Sequence, residues 1–163
     1  MSTDFDRFAA SLDYPVFVVT TCGADGVRSG CLIGFATQCS IHPPRFLACL
    51  SVKNHTFTVA GGAEYLAVHA LADDDKDTAE LFGGATGDEV DKFAMTRWRP
   101  GPGGVPIIEA ADAWFVGRIL EVVDLGDHHG FLLEPVEAEV DDLDPDELLT
   151  FQEAKDIRPG HPA

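Results

Sequence analysis

The chain has 163 residues, of which 45% are hydrophobic, and this is enough for one globular domain with a real core. Its 28 acidic residues against 11 basic ones give a formal net charge of -17, which argues against binding to nucleic acid or to an anionic membrane surface. No run of about 18 apolar residues predicts a membrane span, and the acidic N-terminal sequence does not resemble a secretory signal, so the cytoplasm is the expected location.

The first half of the chain predicts a short helix followed by short strands. Apolar residues at helical spacing predict a helix over residues 4–12. Two apolar runs, residues 16–21 and 27–35, predict strands joined by a short loop that contains Asp-Gly. Further elements are predicted at residues 45–52 (a strand after two prolines), 56–60 (a short helix) and 64–71 (a strand).

The second half of the chain predicts shorter and less regular elements before a final pair of strands. Residues 78–82 and 88–93 read as short helical pieces, and residues 98–107 contain three prolines and three glycines, which predicts an ordered loop. Residues 113–123 and 131–140 predict a final antiparallel pair. The acidic, weakly periodic segment 141–163 is expected on the surface. Short strands, tight turns and few long helices predict a mainly β single domain over residues 1–163, an antiparallel barrel or sandwich with its core at about 12–140.

Two adjacent histidines, His128 and His129, stand in the sequence LGDHHG between the last two predicted strands. Turn chemistry accounts for the glycines and Asp127 but not for two imidazoles. Successive side chains of a strand point to opposite faces, so adjacent histidines are poor co-ligands, and no third ligand can be named. The four cysteines have spacings of eight to ten residues and no C-x-x-C pair. No metal site is therefore predicted.

The segment from Ser29 to Thr56 is rich in small and hydroxyl-bearing residues, which let a flat ligand approach the backbone and hydrogen-bond to it. Lys53, Asn54, His55 and Thr56 stand at the start of the predicted short helix. Such a helix start can bind phosphate through its N–H groups and hydroxyls. An ordinary capped helix on an edge loop is the alternative interpretation.

Several motifs in this order and spacing resemble the flavin reductase-like, FMN-binding split-barrel family: GFATQCSIHPPRFLACLSVKNHTF, AELFGG, DEVDKF and LGDHHGFLLEPVE. The resemblance extends from about residue 16 to residue 140. It implies a split β-barrel, antiparallel and Greek-key-like, with a few short helices. Members bind FMN or FAD, usually as homodimers, and many use NAD(P)H to reduce flavin, often for a partner monooxygenase.

The resemblance also implies site residues. The backbone that lines the isoalloxazine ring corresponds to Cys31, Leu32, Ile33 and Gly34, and the following loop to Gln38, Cys39 and Ser40. The phosphate-holding turn corresponds to Ser51, Lys53, Asn54 and Thr56, and a segment near the flavin, with reach across a dimer, to Lys92 and Phe93. His128 matches a histidine close to flavin and nicotinamide and is the expected catalytic residue, whereas His129 is expected to be a solvated strand residue. Family members often carry Thr, Ala, Asn or Ser where residues 31–34 stand here, so mainly backbone contacts are expected.

The leading expectation is an NAD(P)H-dependent flavin reductase with FMN as cofactor, FAD as a second possibility and NAD(P)H as substrate. Hydride would pass from nicotinamide C4 to flavin N5, which needs no strong general base. The expected partners are a second copy of the chain and a flavin-dependent monooxygenase, and neither nucleic acid nor membrane. The alternatives are a flavin-binding or electron-transfer protein without nicotinamide activity, and a haem or deazaflavin binder on the same barrel.

Overall fold

The computed structural model describes residues 3–84 and 91–157, which form nine strands and four α-helices. The helices are α1 (Asp4–Ala10), α2 (His55–Ala60), α3 (Lys76–Gly84) and α4 (Phe151–Ala154). The strands are β1 (Phe17–Gly23), β2 (Arg28–Ile33), β3 (Ala36–Ser40), β4 (Arg45–Ser51), β5 (Ala63–Ala70), β6 (Trp98–Pro100), β7 (Pro106–Ile108), β8 (Ala113–Asp124) and β9 (His128–Val140). Single 3₁₀ turns occupy Lys92–Ala94, Pro102–Gly104 and Pro145–Glu147.

Seven strands form one antiparallel sheet in the order β2-β1-β5-β8-β9-β4-β3, and β6 and β7 form a separate hairpin. The predicted mainly β, antiparallel architecture with few helices is thus confirmed. Two elements differ from the expectation. β3 lies in a segment read as a loop, and the Pro- and Gly-rich segment forms the β6–β7 hairpin, whose turn uses Gly103 and Gly104 at φ values of 65° and 80°. Part of the predicted helical piece 88–93 lies outside the described residues.

The two edges of the sheet approach each other. β2 and β3 lie at opposite edges, yet only Gly34 and Phe35 separate them in sequence. Three residue steps span at most about 11 Å, so the sheet must curl. The carbonyl of Phe35 accepts a hydrogen bond from the N–H of Cys49 in β4 at 2.9 Å. Within the described ranges, no backbone ladder joins β2 to β3.

Strand β1 separates two apolar clusters, because Val18 and Val19 point to opposite faces of the sheet and both are fully buried. Val19 packs with Leu50 and Phe131 inside the curl of the sheet. Val18 packs on the other side against α3 and the C-terminal segment. Residues 141–147, expected on the surface, are mostly exposed, whereas Leu149 is completely buried in this second cluster.

A buried histidine on β5 joins the sheet to the β6–β7 hairpin. The Nε2 of His69 accepts a hydrogen bond from the N–H of Ile108 at 3.0 Å, so Nδ1 carries the proton and donates to the carbonyl of Val18 at 2.9 Å. Burial lowers the pKa of His69 to about 4, although the hydrogen bond to Val18 favours the charged form. The neutral ring is therefore part of the folded structure. No helix in the described part of the chain is long and apolar enough to cross a membrane.

Candidate functional site

A cleft of about 280 Å³ opens where the two sheet edges approach each other. The sheet contributes one side, hereafter the sheet wall, which consists of Cys31, Leu32, Ile33, Gly34, Phe35, Cys49, Ser51 and His128. The two ends of the chain contribute the other side, the terminal wall, which consists of Tyr14, Phe151, Ala154, Lys155 and Ile157. Asn54 at the start of α2, Gly83 near the end of α3, and Val16 complete the lining.

The end of β2 gives the sheet wall an apolar surface. Cys31 and Ile33 are buried, Leu32 is half-buried, and their main chains are fixed by pairing with β1. At Gly34 a side chain would crowd the cleft, since a Cβ atom there would lie 3.2 Å from the ring of Tyr14. Burial raises the pKa of the Cys31 thiol to about 11 and raises that of Cys49. Both thiols therefore stay protonated near neutral pH and act as small apolar groups.

A turn between β4 and α2 supplies polar groups at one end of the cleft. The N–H of Asn54 donates to the Ser51 carbonyl at 3.0 Å, and the Asn54 side-chain oxygen accepts from the N–H of Thr56 at 2.9 Å. Asn54 is thus the N-cap of α2 and lines the cleft beside Ser51. Lys53 is exposed on the same turn. The Thr56 hydroxyl points elsewhere, because it is 1% exposed and bonded to the Ser29 hydroxyl at 2.8 Å.

The two adjacent histidines have different surroundings. His128 lines the cleft and pairs with Ser51 across β4 and β9. Its Nδ1 lies 2.8 Å from an Asp127 carboxylate oxygen, and its ring centre lies 5.0 Å from that of Phe35. The hydrogen bond and charge of His128 lower the pKa of Asp127. His129 is not among the cleft residues, and its ring packs edge-on against Phe57, with Nε2 3.4 Å from Asp124.

Several residues that the resemblance selected do not reach the cleft. Gln38, Cys39 and Ser40 lie on the edge strand β3, where the Gln38 amide donates to the Ser40 carbonyl at 3.1 Å. Lys92 is 4% exposed, and Phe93 packs in the core between the rings of Phe82 and Trp98. The structure therefore brings together residues 31–34, Ser51, Asn54 and His128, and leaves the other predicted residues outside.

Sequence reasoning missed the terminal wall. Tyr14 and Phe151 stack with ring centres 5.0 Å apart, and the Gln152 amide donates to the carbonyls of Ala10 and Leu12 at 3.1 and 2.9 Å. One local signal was available, because Thr150 and Glu153 form the capping box that marks a helix start. Nothing local in the sequence shows that this helix packs beside Tyr14.

The lining defines what the cleft can bind. The cleft suits a flat molecule with a polar tail. The apolar end of β2 and the aromatic rings of the terminal wall can contact the flat part, and the polar turn can contact the tail. His128 adds an imidazole at the edge. Within residues 3–84 and 91–157, no group of three or more His, Cys, Asp or Glu side chains could hold a metal ion.

Comparison with known sequences agrees with this geometry. The profile of the family described as "Flavin reductase like domain" matches residues 9–157. The 4-hydroxyphenylacetate 3-monooxygenase reductase component of Pseudomonas aeruginosa is 32% identical over 133 residues, which cover 80% of this chain and 76% of the relative. The FMN reductase (NADH) RutF of Enterobacter cloacae is 34% identical over 113 residues, which cover 69% and 68%.

Some relatives are much longer. The alignment with a Rhizobium meliloti protein named "Probable flavin reductase", 31% identical, covers 69% of this chain but 35% of that relative. Among solved structures, nitrilotriacetate monooxygenase component B from Mycobacterium thermoresistibile shares the fold, with a TM-score of 0.80 at 24% identity over 93% of this chain and 82% of that one. An FMN-binding protein from Thermus thermophilus with bound p-hydroxybenzaldehyde has a TM-score of 0.75 at 27% identity, over 83% and 76%. From the profile match and these identities, the chain belongs to the flavin reductase-like family.

Proposed function

We propose that this protein is an NAD(P)H-dependent flavin reductase that binds FMN in the cleft. The observation that carries the proposal is that the end of β2, the Ser51–Asn54 turn and His128 surround one cavity, although they come from separate parts of the chain. The similarity to relatives named FMN reductase (NADH) and monooxygenase reductase component supports the same activity. FAD remains the second flavin that this cleft could take.

The donor set fits a flavin. Gly34 lacks the Cβ atom that would crowd the cleft, so a planar ring can lie against the main chain of residues 31–34. Ser51 and Asn54 would hold the ribityl and phosphate end of the flavin. Lys53 lies between them in sequence and supplies a positive charge on the same turn. A cation matters there because the net charge of -17 otherwise repels an anion.

In the reaction, the bound flavin supplies the hydride-accepting atom, and the protein supplies position and electrostatics. Asp127 holds the Nδ1 side of the His128 ring, which directs Nε2 away from that carboxylate. The Asp127 carboxylate only accepts, so Nδ1 carries a proton, and Nε2 has no hydrogen-bond partner in the part of the chain that the structure describes. Nε2 can therefore donate to a ligand oxygen when the ring is an imidazolium and can accept a hydrogen bond when the ring is neutral. The terminal wall would cover the apolar side of the bound ring and limit its contact with water.

Finer features of the family are part of the proposal. The curled sheet whose edges approach at Gly34 and Phe35 supports a split barrel. Leu120, Val122 and Val136 on the β8–β9 pair are each more than two-fifths exposed, which supports a homodimer that covers them. Similarity to a monooxygenase reductase component supports a flavin-dependent monooxygenase as partner. A cytoplasmic location stays a prediction from the sequence.

A second candidate is FMN binding without nicotinamide activity, which the likeness to the Thermus thermophilus FMN-binding protein supports. The two candidates separate in one assay, the oxidation of NADH and of NADPH with added FMN. Rapid oxidation supports the reductase, and tight FMN binding without oxidation supports the second candidate. A haem or deazaflavin ligand would show directly in the absorption spectrum of the purified protein.

The adjacent histidines provide the matched test of the site. We expect His128→Ala to slow single-turnover reduction of FMN about tenfold to a thousandfold, because one donor to the developing charge is lost. His129→Ala removes the same chemical group beside it and should leave the rate close to that of the wild type. Equal small effects would remove His128 from the catalytic role, and a larger loss at His129 would assign the role to the other face of β9.

A further inference from the structure

A lysine lies behind the sheet wall rather than in the cleft. The ammonium Nζ of Lys92 donates to the carbonyl of Gly30 at 3.0 Å and to that of Phe82 at 3.1 Å, and the residue is 4% exposed. No carboxylate of residues 3–84 or 91–157 forms an ion pair with it. Lysine is almost never fully buried unless it is paired, so this position needs an explanation.

Both acceptor carbonyls stand one residue from the cleft. Gly30 precedes Cys31, and Phe82 precedes Gly83, and Cys31 and Gly83 both line the cavity. The Phe82 carbonyl is in the last turn of α3, where carbonyls lack a partner within the helix. Lys92 therefore joins β2 and α3 at the corner of the cleft.

The charge of Lys92 is only partly compensated. Burial lowers the pKa of its ammonium, and a Cys31 thiolate would raise it. Two neutral carbonyls replace the water that an ammonium loses on burial, and they leave a net positive charge just behind the cavity wall. An apolar side chain could fill the same space without that cost. The position thus favours any ligand in the cleft that gains negative charge.

We propose that Lys92 is a positioning residue that stabilises reduced flavin relative to oxidised flavin, acting through β2 and α3 and without touching the ligand. This inference rests on the proposed function. Hydride transfer from NAD(P)H adds two electrons and one proton to the flavin and releases NAD(P)⁺, so the reduced ring carries one more negative charge near neutral pH. At the effective dielectric constant of protein sites, two unit charges separated by on the order of 10 Å attract each other by roughly tenfold in affinity, and this sets the expected size of the effect.

The test compares the affinities of the two flavin forms. We measure the dissociation constant of FMN for the wild type, Lys92→Met and Lys76→Met. Each protein is titrated with oxidised FMN in air and with dithionite-reduced FMN under anaerobic conditions. Lys76 lies exposed at the start of α3, and its substitution makes the same charge change in solvent. We expect Lys92→Met to weaken the binding of reduced FMN roughly tenfold more than that of oxidised FMN, about 30 mV for a two-electron couple. Lys76→Met should leave the ratio unchanged.

The other outcomes are distinct. Equal weakening of both forms, or no change in either, overturns the inference and leaves the proposed function in place. If Lys92→Met does not fold, Lys92→Gln keeps two donors without the charge and is measured in the same way. Failure of both variants to fold assigns Lys92 to the stability of the fold and also overturns the inference. A wild-type protein that binds neither form of FMN overturns the proposed function itself.

Discussion

The two walls of the cleft are held in different ways. The sheet wall rests on continuous backbone pairing, since β4 pairs with β9 from Phe46↔Leu133 to Ser51↔His128. The terminal wall rests on the isolated bridge Pro15↔Thr150, the Tyr14–Phe151 stack and the hydrogen bonds of the Gln152 side chain. Local opening follows buried contacts and backbone hydrogen bonds, so the terminal wall should open at a lower free energy than the sheet. The sheet wall would then set the position of the ligand, and the terminal wall would control its access to the cleft.

The strongest way to break this comparison is to remove a side chain under the sheet wall. Leu50 in β4 is fully buried, and Leu50→Ala should lower the free energy of unfolding by about 2–5 kcal/mol, because it loses apolar burial and leaves a cavity. Leu12→Ala is the matched control, since Leu12 is 44% exposed near the terminal wall, and it should change the value by about 0.5 kcal/mol or less. Urea unfolding measures both. Equal losses would contradict the difference between the two regions.

The sheet and the terminal wall should also lose stability over different ranges of pH. Folding lowers the pKa of His69 from its usual 6.5 to about 4. Its contribution to stability is therefore complete above pH 6.5 and is lost as the pH falls from 6.5 to 4, by at most about 3 kcal/mol. Next to the terminal wall, the hydrogen bond from the N–H of Gln152 lowers the pKa of Asp13, so the stability contributed by the Asp13 carboxylate is lost only below pH 3.8.

Urea unfolding between pH 7.5 and 4 measures the His69 effect. The variant His69→Gln has no titratable ring, and its stability should fall less over this range than that of the wild type. Parallel curves for the two proteins would show that His69 does not hold its neutral form in the folded state.

The smallest expected effect concerns the terminal wall alone. Gln152→Ala removes the amide that joins α4 to the carbonyls of Ala10 and Leu12, and should cost about 1 kcal/mol at this exposed site. Amide hydrogen exchange should then quicken over residues 148–157, with no change in β4 or β9. Gln38→Ala, on the edge strand β3, is the control and should leave exchange over residues 148–157 unchanged. Faster exchange of β4 in Gln152→Ala would show that the two walls open together.

The difference between the walls also explains what could be predicted from the sequence. Strands β1 and β4 have no exposed residue and β5 has only one, so their apolar runs were visible. β3 exposes Thr37, Gln38 and Cys39, so it left no such pattern. The terminal wall is formed by residues from both ends of the chain. Its contacts are tertiary, and no local periodicity could show them.

Lys92 shows a second limit on what can be predicted from the sequence. Resemblance selected it as a residue near the flavin, and the structure places it one residue behind the cleft, bonded to two main-chain carbonyls. The burial of a lysine depends on the carbonyls around it, and these come from β2 and α3. A pattern in the sequence therefore indicates the neighbourhood of such a residue and not what its charge contacts.

The pairing of Ser51 with His128 has a kinetic consequence. These neighbours in the cleft belong to β4 and β9, and four other strands lie between them along the chain. Contacts between distant segments form slowly, because the entropy of closing the intervening loop must be overcome first. The corner of the cleft that holds His128 is therefore completed late in folding. A flavin can bind only the finished fold, so it should slow unfolding and leave the rate of folding unchanged.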